Sequence, residues 1–107
     1  MSEKRRHQRL DVNLPVTLRH DGRLIPATAL NISCGGMFIR ANDPGLKANA
    51  SVEIIFDLGA RQKDLSMRGR ITHVVTSADA TDAGVQFTNL FSVSHKAIEE
   101  YLGQNLN

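Results

Sequence analysis

The sequence predicts a small all-β domain closed by one terminal helix, and three observations predict it. Apolar and polar residues alternate with a period of two through six short segments. Turn signals separate those segments, the strongest being Asp21-Gly22. The last segment changes to helical spacing, with Ala97, Ile98, Tyr101 and Leu102 recurring on one face. Six strands, regular turns and one helix describe an antiparallel barrel or sandwich with the helix covering an opening. At 107 residues the chain has room for a single domain with one modest core.

Asp11 to His20 places Val12, Leu14, Val16 and Leu18 on one face of a first strand, where Pro15 implies an edge position or a bulge. Asp21-Gly22 suits a type I′ turn, which needs positive φ at both central residues. A second strand is expected over about Arg23 to Leu30, followed by a polar turn, Asn31 to Gly36. Met37 to Ala41 reads as the third strand and Asn42-Asp43-Pro44-Gly45 as a loop. Val52 to Leu58 and Leu65 to Val75 supply the fourth and fifth strands. Ser77 to Asp82 reads as a loop and Gly84 to Phe87 as a short sixth strand. Ser92 and Ser94 offer N-cap oxygens for a helix over about 92–103, which Gly103 is placed to stop. No internal repeat or low-complexity tract interrupts this order.

Composition narrows the class. A hydrophobic fraction of 41% with 22% charged residues fits a globular protein, not a disordered one. No apolar run approaches the roughly 18 residues a membrane span requires, so membrane insertion is not expected. The first residues are charged and lead into no apolar stretch, so no secretory signal is expected. One cysteine, Cys34, excludes an internal disulfide and fits a reducing compartment; a cytoplasmic location is the expectation. His7, His20, His73 and His95 are scattered without metal-ligand spacing, so neither a metal site nor an enzyme is expected. The net charge is +2, and its distribution is uneven. Lys4, Arg5, Arg6 and Arg9 put four cations among the first nine residues against one acid, Glu3. The remainder is nearly neutral, so the positive field belongs to an N-terminal arm.

Two short pieces then look like halves of one anion-binding site. Arg5-Arg6-His7-Gln8-Arg9 offers guanidinium forks, which match phosphates and the acceptor edge of guanine. Asn31-Ile32-Ser33-Cys34-Gly35-Gly36 offers an amide, a hydroxyl and backbone N–H groups where glycine permits close approach. Each residue has a plainer reading: a solvated side chain for Arg6, an Asx turn for Asn31, and a turn-capping hydroxyl for Ser33. For Gly36 the expected reasons are close approach by a ligand or the arm, or a turn needing positive φ. Cys34 reads as a small residue tolerated in a turn.

The pattern Arg-x-x-x-Arg (Arg5 to Arg9) followed by Asn-x-Ser-x-x-Gly (Asn31, Ser33, Gly36) resembles the motif pair of PilZ domains, bacterial receptors for the messenger cyclic di-GMP. Gly36-Met37-Phe38-Ile39 resembles the strand after the second motif, Gly84-Val85-Gln86-Phe87 a late strand of that family, and Ile98-Glu99-Glu100-Tyr101-Leu102 its C-terminal helix. The chain departs from the most frequent pattern in carrying Asn at position 31 where Asp is often found. The resemblance covers essentially the whole chain. It implies a six-stranded antiparallel β-barrel of split-barrel type with a C-terminal α-helix. It also implies a cyclic di-GMP site made by Arg5, Arg6, Arg9, Asn31, Ser33 and Gly36, with no other cofactor.

On this reading residues 1–10 form a basic arm that is mobile without ligand and 11–107 form the barrel domain. Ligand would bridge arm and turn and create a surface for an effector protein. Arg6 adds a cation that favours a stacked ligand pair. Two rivals remain: a PilZ-like interaction module that binds no ligand, and a small nucleic-acid-binding barrel. The second needs aromatic platforms, and the chain has no Trp and one Tyr. Phe38, Phe56 and Phe87 lie among apolar strand residues and read as core.

Overall fold

In the computed structural model, which describes residues 8–43 and 45–106, six antiparallel strands close into one barrel. The elements are β1 (Leu10–His20), β2 (Arg23–Ile32), β3 (Gly36–Ala41), β4 (Ser51–Phe56), β5 (Leu65–Thr76), β6 (Thr81–Phe87) and α1 (Val93–Asn105). Around the barrel the order is β1-β2-β3-β6-β5-β4, and β4 returns to β1 over Val16–Arg19. That closure decides between barrel and sandwich.

The alternation in β1 buries Val16 and Leu18 and half-buries Val12 and Leu14. Asp21 and Gly22 have φ of 52° and 76°, the pair of positive values a type I′ hairpin demands. The core is continuous, with Leu18, Ile32, Ile39, Ile54, Met67 and Ile71 fully buried inside the barrel. Ala97, Ile98 and Leu102 bring one stripe of α1 into the same cluster. Full burial of side chains this size stabilises by about 1.5–3 kcal/mol each.

Four boundaries differ from the sequence-based expectation by two residues or more, the first being β4, which ends at Phe56 and not at Leu58. β2 continues to Ile32 because Leu10 and Asp11 pair with Ile32 and Asn31, so Asn31 is a strand residue and not a turn residue. β6 starts at Thr81 because Thr81–Ala83 finds partners on both β3 and β5. The fully buried Thr81 hydroxyl donates to the Asp43 carbonyl at 2.9 Å. Helix α1 runs through Gly103 to Asn105, so Gly103 does not stop it. Glycine inside a helix costs about 1 kcal/mol relative to alanine, and packing of Leu106 against the core outweighs that. Leu106 is the C-cap, its N–H donating to the Leu102 carbonyl at 2.9 Å.

Pro15 immediately precedes Val16, where the ladder to β4 begins, and Pro26 immediately precedes Ala27, where the ladder from β2 to β3 begins. Each proline occupies a strand position with one sheet neighbour, so its missing N–H breaks no second ladder. The register shift in β1 lies between Asp11 and Leu14, just before Pro15. Among the described residues no helix is long and apolar enough to cross a membrane.

Candidate ligand-binding site

Pairing register builds a row of residues across four strands on the outer face of the barrel. Asn31 pairs with Phe38, Phe38 with Gly84, and Gly84 with His73. Their chain neighbours Met37, Ile39, Ala83 and Val85 point inward and are buried. Both outer strands are irregular beside this row: β2 shifts register between Ala29 and Asn31, and β5 between Ile71 and His73. Bulges of this kind bend a strand and re-aim side chains. Phe38 and His73 stack above Gly84, with ring centroids 6.2 Å apart and planes at 28°. A Cβ on Gly84 would lie 2.6 Å from His73 Cε1, so glycine is what lets the rings meet there.

Beside this pair lies a cleft of about 660 Å³, a volume typical of small-ligand sites. Arg9, Asn31, Ser33 and Gly36 are among the residues that line it, together with Phe38, Thr72, His73, Gly84, Gln86 and Leu90. Among the described residues no carboxylate lines the cleft and Arg9 is its one guanidinium. The arrangement suits an anion that also has a flat face to stack.

Arg9 precedes β1 by one residue, and because Leu10 pairs with Ile32 it stands at the Ser33 end of the ladder. Arg5 and Arg6 lie outside the described residues. The half-buried Asn31 amide has no hydrogen-bond partner among the described residues, so it closes no Asx turn and stands available to a ligand. Ser33 is 7% exposed, and its hydroxyl accepts from the N–H groups of Gly35 at 3.1 Å and Gly36 at 3.2 Å. It also donates to the Gly36 carbonyl across a long 3.4 Å, and the Ser33 N–H reaches that carbonyl at 2.9 Å. The two glycine N–H groups expected to face a ligand are thus taken by Ser33, whose first role is to shape the turn.

Gly36 is required for a reason the sequence does not show. Its φ is not positive, but a Cβ there would lie 2.1 Å from the Val85 carbonyl oxygen. The backbone of β6 by itself excludes a side chain there. Cys34, half-buried beside it, has its thiol pushed up by burial and then by the charge of Glu99, which disfavours the reactive thiolate.

Phe38, Thr72, His73, Gly84 and Gln86 line the cleft and were not expected there. Phe38 is half-buried on the outer face and is not a core residue. Strict alternation would have found it, since Met37, Ile39 and Ala41 claim the inner face and leave Phe38 with Arg40. His73 had no comparable signal, because the bulge at Thr72 changes which face it takes. Among the described residues no three His, Cys, Asp or Glu side chains are grouped to hold a metal.

A family model described as the PilZ domain matches residues 3–104. This chain belongs to the PilZ family. Solved structures share its fold at low sequence identity. The Bacillus subtilis inhibitor of motility MotI/DgrA is 15% identical with a TM-score of 0.81, over 98% of this chain and 52% of that one. The PilZ domain of Escherichia coli YcgR with c-di-GMP is 12% identical with a TM-score of 0.79, over 97% and 92%. The K. pneumonia MrkH–c-di-GMP complex is 17% identical with a TM-score of 0.76, over 98% and 53%. The chain spans about half the length of the MotI and MrkH chains it matches. Curated protein sequences give no match. PilZ domains are binding domains, so the cleft is read as a binding site.

Proposed function

We propose that this PilZ domain is a cyclic di-GMP receptor that signals to a partner protein and carries no catalysis. The observation that carries the reading is the meeting of Arg9, Asn31 and the Ser33–Gly36 turn in one cleft, which no carboxylate lines among the described residues, beside a stacked aromatic pair. Two of the similar structures contain c-di-GMP, which fits that chemistry. Arg9 would pair a phosphate or the O6/N7 edge of guanine, in charge-assisted bonds of roughly 1.5–3 kcal/mol each. Asn31 would read a guanine edge with its amide, which has no partner among the described residues. Gly36 lets β6 and the turn stand close enough to form one wall.

Arg5 completes the site by the family motif, and Arg6, a further cation of the same arm, favours a stacked pair of ligands. Leu10 is in β1, paired with Ile32, so the arm is the stretch before Leu10, and ligand would bridge it to the turn and order it against the barrel. The ordered arm offers an effector a surface that the free domain lacks. The reading places the protein in the cytoplasm, where a lone thiol such as Cys34 stays reduced.

Isothermal titration of cyclic di-GMP, with GTP as control and Arg9→Ala alongside, tests the reading. Micromolar or tighter binding is expected, absent for GTP and weakened at least tenfold in Arg9→Ala, or about 1.4 kcal/mol. No heat and no NMR shifts at high ligand concentration would leave a PilZ interaction module that binds no nucleotide.

A further inference from the structure

His95 belongs to α1, yet its ring reaches the cleft wall. It is 7% exposed, and its Nε2 lies 2.8 Å from the Cys34 carbonyl oxygen, 61 residues away in the chain. A carbonyl can only accept, so Nε2 carries the proton and donates. A buried imidazole needs such a partner, because an unmade hydrogen bond there costs about 1–3 kcal/mol. Cys34 sits between Ser33 and Gly35, so the bond lands in the middle of the motif turn.

The turn is held from three directions. Inside it, the Ser33 hydroxyl gathers the N–H groups of Gly35 and Gly36. From β6, the Phe87 N–H donates to the Gly35 carbonyl at 2.8 Å. From α1, His95 takes the carbonyl of Cys34. The first two holds belong to the barrel wall, and the third couples that wall to a separate element. His95 is itself fixed, its backbone N–H donating to the N-cap Ser92 hydroxyl at 3.1 Å. The segment that delivers it passes the cleft at Leu90 and then exposes Phe91 completely and Val93 by 86%.

We propose that His95 is a positioning residue that ties the Ser33–Gly36 turn to the first turn of α1, so that the shape of the cleft and the pose of the helix start are set together. The proposal deepens the receptor reading and rests on it for its ligand. By linkage, whatever ligand binding does to the turn is felt at Phe91 and Val93, and a molecule docked at the helix start would alter ligand affinity by the same factor.

The test compares wild type, His95→Ala, His95→Met and His95→Gln in the full chain. Met keeps the bulk without a donor and stands in if Ala does not fold. Gln keeps an N–H at nearly the same reach. Two readouts are taken: NMR hydrogen exchange of the Gly35 and Gly36 amides in free protein, with Ile54 in β4 as the core reference, and the Kd for cyclic di-GMP. In the Ala and Met variants, exchange at Gly35 and Gly36 is expected to speed at least tenfold more than at Ile54, and Kd to rise at least fivefold. In His95→Gln both should stay within twofold of wild type. Unchanged Gly35 and Gly36 exchange with unchanged Kd in the Ala and Met variants overturns the proposal. So does acceleration spread equally over turn and core, which marks a merely structural side chain. Should wild type itself bind no cyclic di-GMP while the exchange pattern holds, the receptor reading falls and the coupling of turn to helix stands.

Discussion

Gly36 and Gly84 are both glycines of the cleft, and opposite kinds of neighbour exclude a side chain from them. At Gly36 the obstacle is the Val85 carbonyl, 2.1 Å from an added Cβ, and backbone cannot yield without parting β3 from β6. Gly36→Ala should therefore destabilise the fold by about 1–3 kcal/mol, measured as a lower urea midpoint. At Gly84 the obstacles are the exposed side chains of His73 and Thr72, whose hydroxyl donates to the Gly84 carbonyl at 3.3 Å. Gly84→Ala should lower the urea midpoint less than Gly36→Ala, because side chains and not backbone must move. It should nevertheless break the Phe38–His73 contact, seen as loss of the NOE between the two rings. The sequence shows Gly36 through its motif but hides its reason, since Val85 lies 49 positions away. That Arg9, Asn31 and Ser33 share one cleft could be read from two contiguous motifs. The place of His73 could not, because one inserted residue at Thr72 resets the alternation on which any reading of faces depends.

Between elements, the contact that joins β3 to β6 on the outside is Arg40 to Asp82, two parallel bonds of 2.7 and 3.0 Å. Those bonds hold the Asp82 carboxyl below the usual range, the side-chain hydrogen bonds to Arg40 outweighing burial. Asp43 is likewise lowered, chiefly by the Gly45 N–H. A carboxyl that is more acidic folded than unfolded stabilises the fold above the ordinary carboxylate pKa, about 3.9, and that stability is lost as pH falls through the folded value. Asp82→Asn should thus lower the thermal midpoint at pH 7 while narrowing the drop between pH 7 and pH 3, followed by circular dichroism. Such cross-strand partners are invisible in sequence, whereas the Asp21-Gly22 hairpin is visible because its turn chemistry is contiguous. The helix start at Ser92 was legible for the same reason. Its end was not, because packing of Leu106 overrides the local preference of Gly103.

For the molecule as a whole, closure of β4 onto β1 decides where stability resides. Ile54 is fully buried on β4, next to the seam, and pairs with both Leu18 and Met67. Ile54→Ala should cost about 2–5 kcal/mol of unfolding free energy in urea. Val75→Ala, 66% exposed on β5, should change it by no more than about 0.5 kcal/mol. The number of strands was legible from alternation and turns, but the seam was not, since nothing in either strand marks the other as its partner. Closure leaves short strand stretches with one sheet neighbour, and two of these end at Pro15 and Pro26. A foreign chain trying to zip onto either stretch runs into a residue with no hydrogen to give, just where the zipper would enter the barrel. Crowded copies of this domain are thereby steered away from strand-by-strand aggregation.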